Sequence, residues 1–143
     1  MKKDSIKLLN ECHYGIAMAI SSIDTLADTV QDSRLREQLD DSRKLHEVLG
    51  RETAGLLQRM GQEPPVPGFM AKSMAKLQTN ARMTFRPSDS TAAALLSDGC
   101  HVGIKTIAKQ LNRRTEADVQ AREMARRVIG LEDKLSVEMR PYL

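Results

Sequence analysis

The pattern Cys-His-x-Gly-Ile occurs twice in the chain, as Cys12-His13-Tyr14-Gly15-Ile16 and as Cys100-His101-Val102-Gly103-Ile104. The remaining histidine, His46, and the carboxylate of Glu132 fall on the apolar sides of two other helical stretches. Thiolate, imidazole and carboxylate groups together suit four-coordinate zinc, and the same donors take iron. The candidate metal ligands are therefore Cys12, His13, Cys100, His101, His46 and Glu132. A plainer account uses the same residues. The cysteines are small core side chains, and His46 and Glu132 hydrogen-bond each other or face solvent near the stripe edge. Axial position weighs against one shared centre. With the first interhelical turn near residue 31, Cys12 is level with Arg51 or Glu52. His46 is then about five residues away, roughly 7–8 Å along the axis, whereas ligands bind at about 2.0–2.3 Å.

His13 and His101 each lie about 100° from their cysteines, at the stripe edges. They are half-buried boundary residues, or a pair that binds a transition metal together. A helical glycine costs up to about 1 kcal/mol relative to alanine, so Gly15 and Gly103 at matching places imply close approach of the first and fourth segments near their starts. Cys12 and Cys100 would then come within the roughly 7 Å that a disulfide needs under oxidation. The sequence has no glycine-rich phosphate loop, no GxSxG elbow and no CxxC, which removes the commonest motif-borne nucleotide, hydrolase and thioredoxin-type chemistries.

These residues must be positioned by helices. Of 143 residues, 41% are hydrophobic and 29% charged, while aromatics reach only 3% with no Trp and methionine is abundant. This composition is globular and favours helix over sheet. The first segment, residues 4–31, carries Leu9, Cys12, Ile16, Ile20, Ile23, Leu26, Ala27 and Val30 at three- and four-residue spacing. Asp32 or Ser33 can cap the next helix. Residues 34–60 repeat the spacing with Leu35, Leu39, Ser42, Leu45, Leu49, Thr53, Leu56 and Met60, and Gly61 is a natural stop before Pro64-Pro65. Residues 69–85 form a shorter amphipathic stretch bearing Lys72, Lys76 and Arg82, with Arg86 directly after it. Ser88, Asp89 or Ser90 starts a segment over 89–112 with Ala93, Leu96, Cys100, Ile104, Ile107 and Leu111. The last segment, 116–139, carries Ala121, Ala125, Val128, Leu131, Leu135 and Met139. Short links within each pair predict antiparallel neighbours.

Residues 8–16 and 95–104 are alike, and each opens a long helical hairpin. Two similar hairpins (4–61 and 88–141) joined by a crossover (62–87) predict a four-helix bundle with pseudo-twofold symmetry, in one domain. A connector that long can run from one end of the bundle to the other. The run Asp32-Ser33-Arg34-Leu35-Arg36-Glu37-Gln38-Leu39, the helix end at Leu56, Gly61 and Pro64, the Met70-Ala71-Lys72 opening of the connector and the Gly-Ile pairs resemble a bacterial ferritin-like family of unknown function. The resemblance covers nearly the whole chain and implies a ferritin-like bundle without implying a reaction. Ferritin-like oxidases place one Glu on each of two helices and Glu-x-x-His on the other two. Here Arg43 stands three residues before His46, and the last segment has no histidine.

The expectation is thus an all-α, ferritin-like four-helix bundle with a short crossover helix. It is read as a non-catalytic interaction or structural scaffold without a complete di-iron carboxylate site, and as a homodimer. The alternative is a metal-binding or thiol-redox protein that uses the Cys-His pairs. A net charge of +3 and the absence of interleaved aromatic and basic residues argue against nucleic acid. No apolar run approaches the roughly 18 residues of a membrane span. The charged start, Met1-Lys2-Lys3-Asp4-Ser5, lacks a signal core, so the expected location is the cytoplasm.

Overall fold

A computed structural model describes residues 2–63 and 88–143. The expected crossover helix at 69–85 lies outside the described residues. Four long helices are present: α1 (Lys2–Ala27), α2 (Ser33–Arg59), α3 (Asp89–Arg113) and α4 (Val119–Met139), followed by a 3₁₀ turn at Arg140–Tyr142. Among the described residues there is no strand.

Local chemistry sets the helix ends. Asp32 caps α2 by accepting the Leu35 N–H at 2.9 Å, Ser88 caps α3 through the Thr91 N–H at 3.0 Å, and Asp118 caps α4 through the Ala121 N–H at 2.8 Å. The last cap moves the start of α4 from the expected residue 116 to Val119. Before it, α1 holds the link in place: Asp4 accepts the Glu116 N–H at 3.2 Å and Ser5 Oγ accepts the Asp118 N–H at 2.8 Å. The first helix stops at Ala27, short of the expected residue 31. Thr29 donates its hydroxyl and its N–H back to the Leu26 carbonyl, which closes a turn. Val30 is fully buried from that turn, so it continued the apolar pattern without continuing the helix.

The C-terminus of α2 is a complete Schellman motif. Gly61 adopts φ +73°, its N–H donates to the Gln58 carbonyl, and the Gln62 N–H donates to Leu57, both at 2.9 Å. A Cβ is disfavoured in this left-handed region. Gly61→Ala is therefore expected to lower stability by about 1 kcal/mol. Gly130→Ala, in a helix where an added Cβ meets none of the described residues within 4 Å, is expected to raise it by up to about 1 kcal/mol. Urea denaturation of the two variants checks both signs.

Long-range contacts give the topology. Gln31 and Asp32, after α1, donate their N–H groups to Asp89 at the start of α3, at 2.7 and 3.0 Å, so α1 and α3 are antiparallel. The bonds from 116 and 118 to Asp4 and Ser5 make α1 and α4 parallel. Arg127 pairs with Glu52, and Tyr142 donates to Gln38 at 2.8 Å, which makes α2 and α4 antiparallel. The order is up-down-down-up. The end of α2 and the start of α3 lie at opposite ends of the bundle, about 39 Å apart for a 27-residue helix. The core falls into two apolar clusters. One holds Leu8, Leu9, Ile16, Leu57, Ile107 and Val128, and the other Ile23, Leu35, Leu39, Leu96, Leu135 and Met139.

Candidate functional site

Between the two apolar clusters lies a polar layer. His46 on α2 is fully buried, and its Nε2 is 2.6 Å from Oε1 of Glu132 on α4, itself only 4% exposed. The His46 Nδ1 lies 2.7 Å from the Ser42 carbonyl oxygen and 3.3 Å from Ser42 Oγ. A carbonyl only accepts, so Nδ1 carries a proton. Nε2 and Oε1 share one hydrogen bond. The thiol of Cys100, on α3, donates to the Glu132 carboxylate. Burial first, then the charge of Glu132, pushes the Cys100 thiol well above the ordinary range.

The helices bring these groups to one level. Asp24 meets Arg43 and Gly50 meets Ile16, which puts Ser21 of α1 beside His46. Gly15 meets Ile107 and Gln31 meets Asp89, which puts Ser21 beside Cys100. Each helix thus gives at least one buried polar or thiol side chain to the layer: Ser21, Ser42 with His46, Cys100 and Glu132.

Of the six sequence-derived candidates, three converge here. Cys12 does not. By the same register it lies about nine residues, or roughly 13 Å, from the level of Cys100. It is buried in the other apolar cluster, where burial pushes its thiol up to about 12. Both cysteines are free. The expected approach of the first and fourth segments near their starts is corrected by the antiparallel arrangement, since those starts lie at opposite ends. Gly15 does face α3, where an added Cβ would sit 3.3 Å from Ile107 Cδ1, but Gly103 faces Glu132 on α4. His13 is half-buried, as one expectation had it. Its Nδ1 has no hydrogen-bond partner among the described residues, and burial holds its pKa below the ordinary histidine value. His101 is exposed, so the two Cys-His pairs are not equivalent surroundings. Among the described residues, no three of His, Cys, Asp and Glu are grouped as metal ligands.

Reading hydropathy alone placed Leu45 on the buried stripe of α2 and Leu131 on that of α4. In the structure Leu45 is 43% exposed and Leu131 only partly buried, and the neighbouring His46 and Glu132 occupy the interior instead. Arg43, where a ferritin-like oxidase would place a carboxylate, turns outward to Asp24 at 2.5 Å and to Glu47. Beside the layer, a cavity between α1 and α3 reaches Glu132 and Cys100; nothing in the apolar spacing announced it. Among the described residues, no helix is long and apolar enough to cross a membrane.

No family model matches the sequence, and neither does any curated protein. The solved structure of Dps92 from Deinococcus radiodurans is similar to this chain with a TM-score of 0.79 over 99% of this chain and 87% of that one, at 14% identity. A likeness at that identity speaks to fold alone, and with the helix order above it makes this chain an all-α, ferritin-like four-helix bundle.

Proposed function

We propose that this protein is a non-catalytic ferritin-like scaffold, a single helical domain that works by holding partners and not by turning over a substrate at paired metals. The reading rests on one observation: the histidine of the central layer is engaged wholly within the protein, its two nitrogens by Ser42 and Glu132. A partner in the form of a second copy is supported by Leu45 and Val48, which α2 holds 43% and 41% exposed on its outer side. The test uses tag-free protein incubated aerobically with Fe(II), and separately with Zn(II), then desalted for metal analysis. The expected result is substoichiometric metal, unchanged in Glu132→Gln, with Fe(II) oxidation no faster than in buffer and a light-scattering mass of two chains. One or two equivalents of iron per chain with accelerated oxidation would overturn the reading.

A second reading, a metal-binding or thiol-redox protein, is favoured by the chain Cys100–Glu132–His46. Ser42 fixes the histidine tautomer, as outer partners do for metal-bound histidines. Zinc or iron would call on those three residues, leaving out Cys12, His13 and His101, although the described residues hold no such group of three arranged as ligands. Against it stands the Cys100 thiol, which burial keeps protonated where a metal needs thiolate. Stoichiometric zinc lost in Cys100→Ser and His46→Ala would favour this reading.

A further inference from the structure

The cavity between α1 and α3 has a volume of about 300 Å³, the lower end of the range for small-molecule sites. Tyr14, Met18, Leu26, Leu95 and Val102 are among its walls, and it reaches inward to Glu132 and Cys100 of the polar layer. Among the described residues its outer rim is open: Gly99 and Val102 are exposed, and a Cβ at Gly99 would meet none of them within 4 Å. Glu132 presents its two oxygens differently. Oε1 is bound to His46, whereas Oε2 is turned toward Gly103, itself part of the cavity wall, and lies 3.8 Å from where a Cβ would be. The missing side chain at Gly103 leaves an acceptor oxygen at the inner end of a largely apolar space, whose walls also include Glu11, Ser22 and Thr106. At about 30 Å³ per methylene-sized group, the cavity holds about ten such groups.

We propose that this cavity binds a small amphiphile: a hydrocarbon body of about ten heavy atoms with a hydroxyl or ammonium head that donates to Glu132. The apolar walls take the body by burial. The carboxylate at the inner end selects the head, because it accepts from a donor and repels an anion. A mostly apolar pocket with a few placed polar groups is the general form of such sites. This inference stands apart from the scaffold reading, since a scaffold and a metal protein can each carry it.

The full-length protein is titrated with 1-octanol, octylammonium and octanoate, followed by calorimetry and by the methyl carbon signal of Met18. The expected result is saturable binding of one octanol or octylammonium per chain, with octanoate at least about tenfold weaker. Tighter binding of octylammonium assigns an ammonium head, and tighter binding of octanol a hydroxyl head. Gly99→Leu, at an uncrowded site, is expected to keep the helical circular dichroism and to weaken binding at least about tenfold. Gly103→Val, which covers Oε2, is expected to remove the preference over octanoate. Absence of saturable binding, equal binding of octanoate, or full affinity in Gly99→Leu would overturn the proposal. So would a Gly99→Leu variant that changes the light-scattering mass from dimer to monomer, because a second copy would then be what covers the cavity.

Discussion

Glu132→Leu alone is expected to destabilise the protein by about 3 kcal/mol, whereas the double variant His46→Leu with Glu132→Leu is expected to fall within about 1 kcal/mol of the parent or above it. The single change strips the partner from a fully buried imidazole, whose Nε2 then faces hydrocarbon. An orphaned buried polar atom costs its full desolvation. The double change orphans little. In α2 the Ser42 carbonyl keeps its place in the helical ladder, and the Cys100 thiol is only a weak donor. Two leucines then join the apolar clusters above and below the layer. Urea denaturation of parent, both singles and the double closes the cycle. Additive losses, with the double worse than either single, would mean that His46 and Glu132 are stabilised by packing and not by each other. The expected outcome also carries a functional argument. A layer that leucine replaces without loss is not held in place by stability, and the cavity that reaches Glu132 is the structural feature left to account for it.

Helix existence and pairing were legible because they depend on local terms: apolar spacing, the caps at Asp32 and Ser88, and the stop at Gly61. The polar layer was only half legible. His46 and Glu132 were visible as polar residues beside apolar stripes, and their mutual hydrogen bond was one of the two plain outcomes weighed. Leu45 and His46 are adjacent on α2 and differ by one 100° step. Hydropathy favours Leu45. The spacing of Leu35, Leu39 and Thr53 puts His46 on the buried side, and its bond to Glu132 agrees with that placement. The repeated Cys-His pattern misled in a different way. A pseudo-twofold places like residues symmetrically about a centre, not beside each other. Cys12 and Cys100 each begin about ten residues into antiparallel helices, so the symmetry that makes them alike also holds them apart. Only the register contacts, such as Gln31 with Asp89, make that separation visible.

Neither thiol is expected to react in the folded protein near neutral pH, and both should react fully once it is unfolded. For Cys12, raising the pKa from 9.0 to about 12 lowers the thiolate fraction at pH 7 by about a thousandfold. Burial limits access further, so labelling with a disulfide reagent should proceed only as fast as the protein opens. Mild oxidation should leave two free thiols by mass spectrometry, consistent with their roughly 13 Å axial separation. The same shift fixes a pH dependence. Between about pH 9 and pH 12 the unfolded chain has released the Cys12 proton and the folded chain has not, so the native state binds more protons and stability falls as pH rises. The contribution of Cys12 is complete below pH 9 and lost as pH climbs through about 12. Burial pushes Cys100 in the same direction, so the two effects add. Denaturation midpoints measured from pH 8 to 11 should therefore decline, and Cys12→Ala should flatten the slope even though it lowers stability at pH 8 by emptying a core position. Rapid labelling of the native protein at pH 7, at a rate independent of unfolding, would show that one of these thiols is solvent-reachable and would reopen the thiol-redox reading.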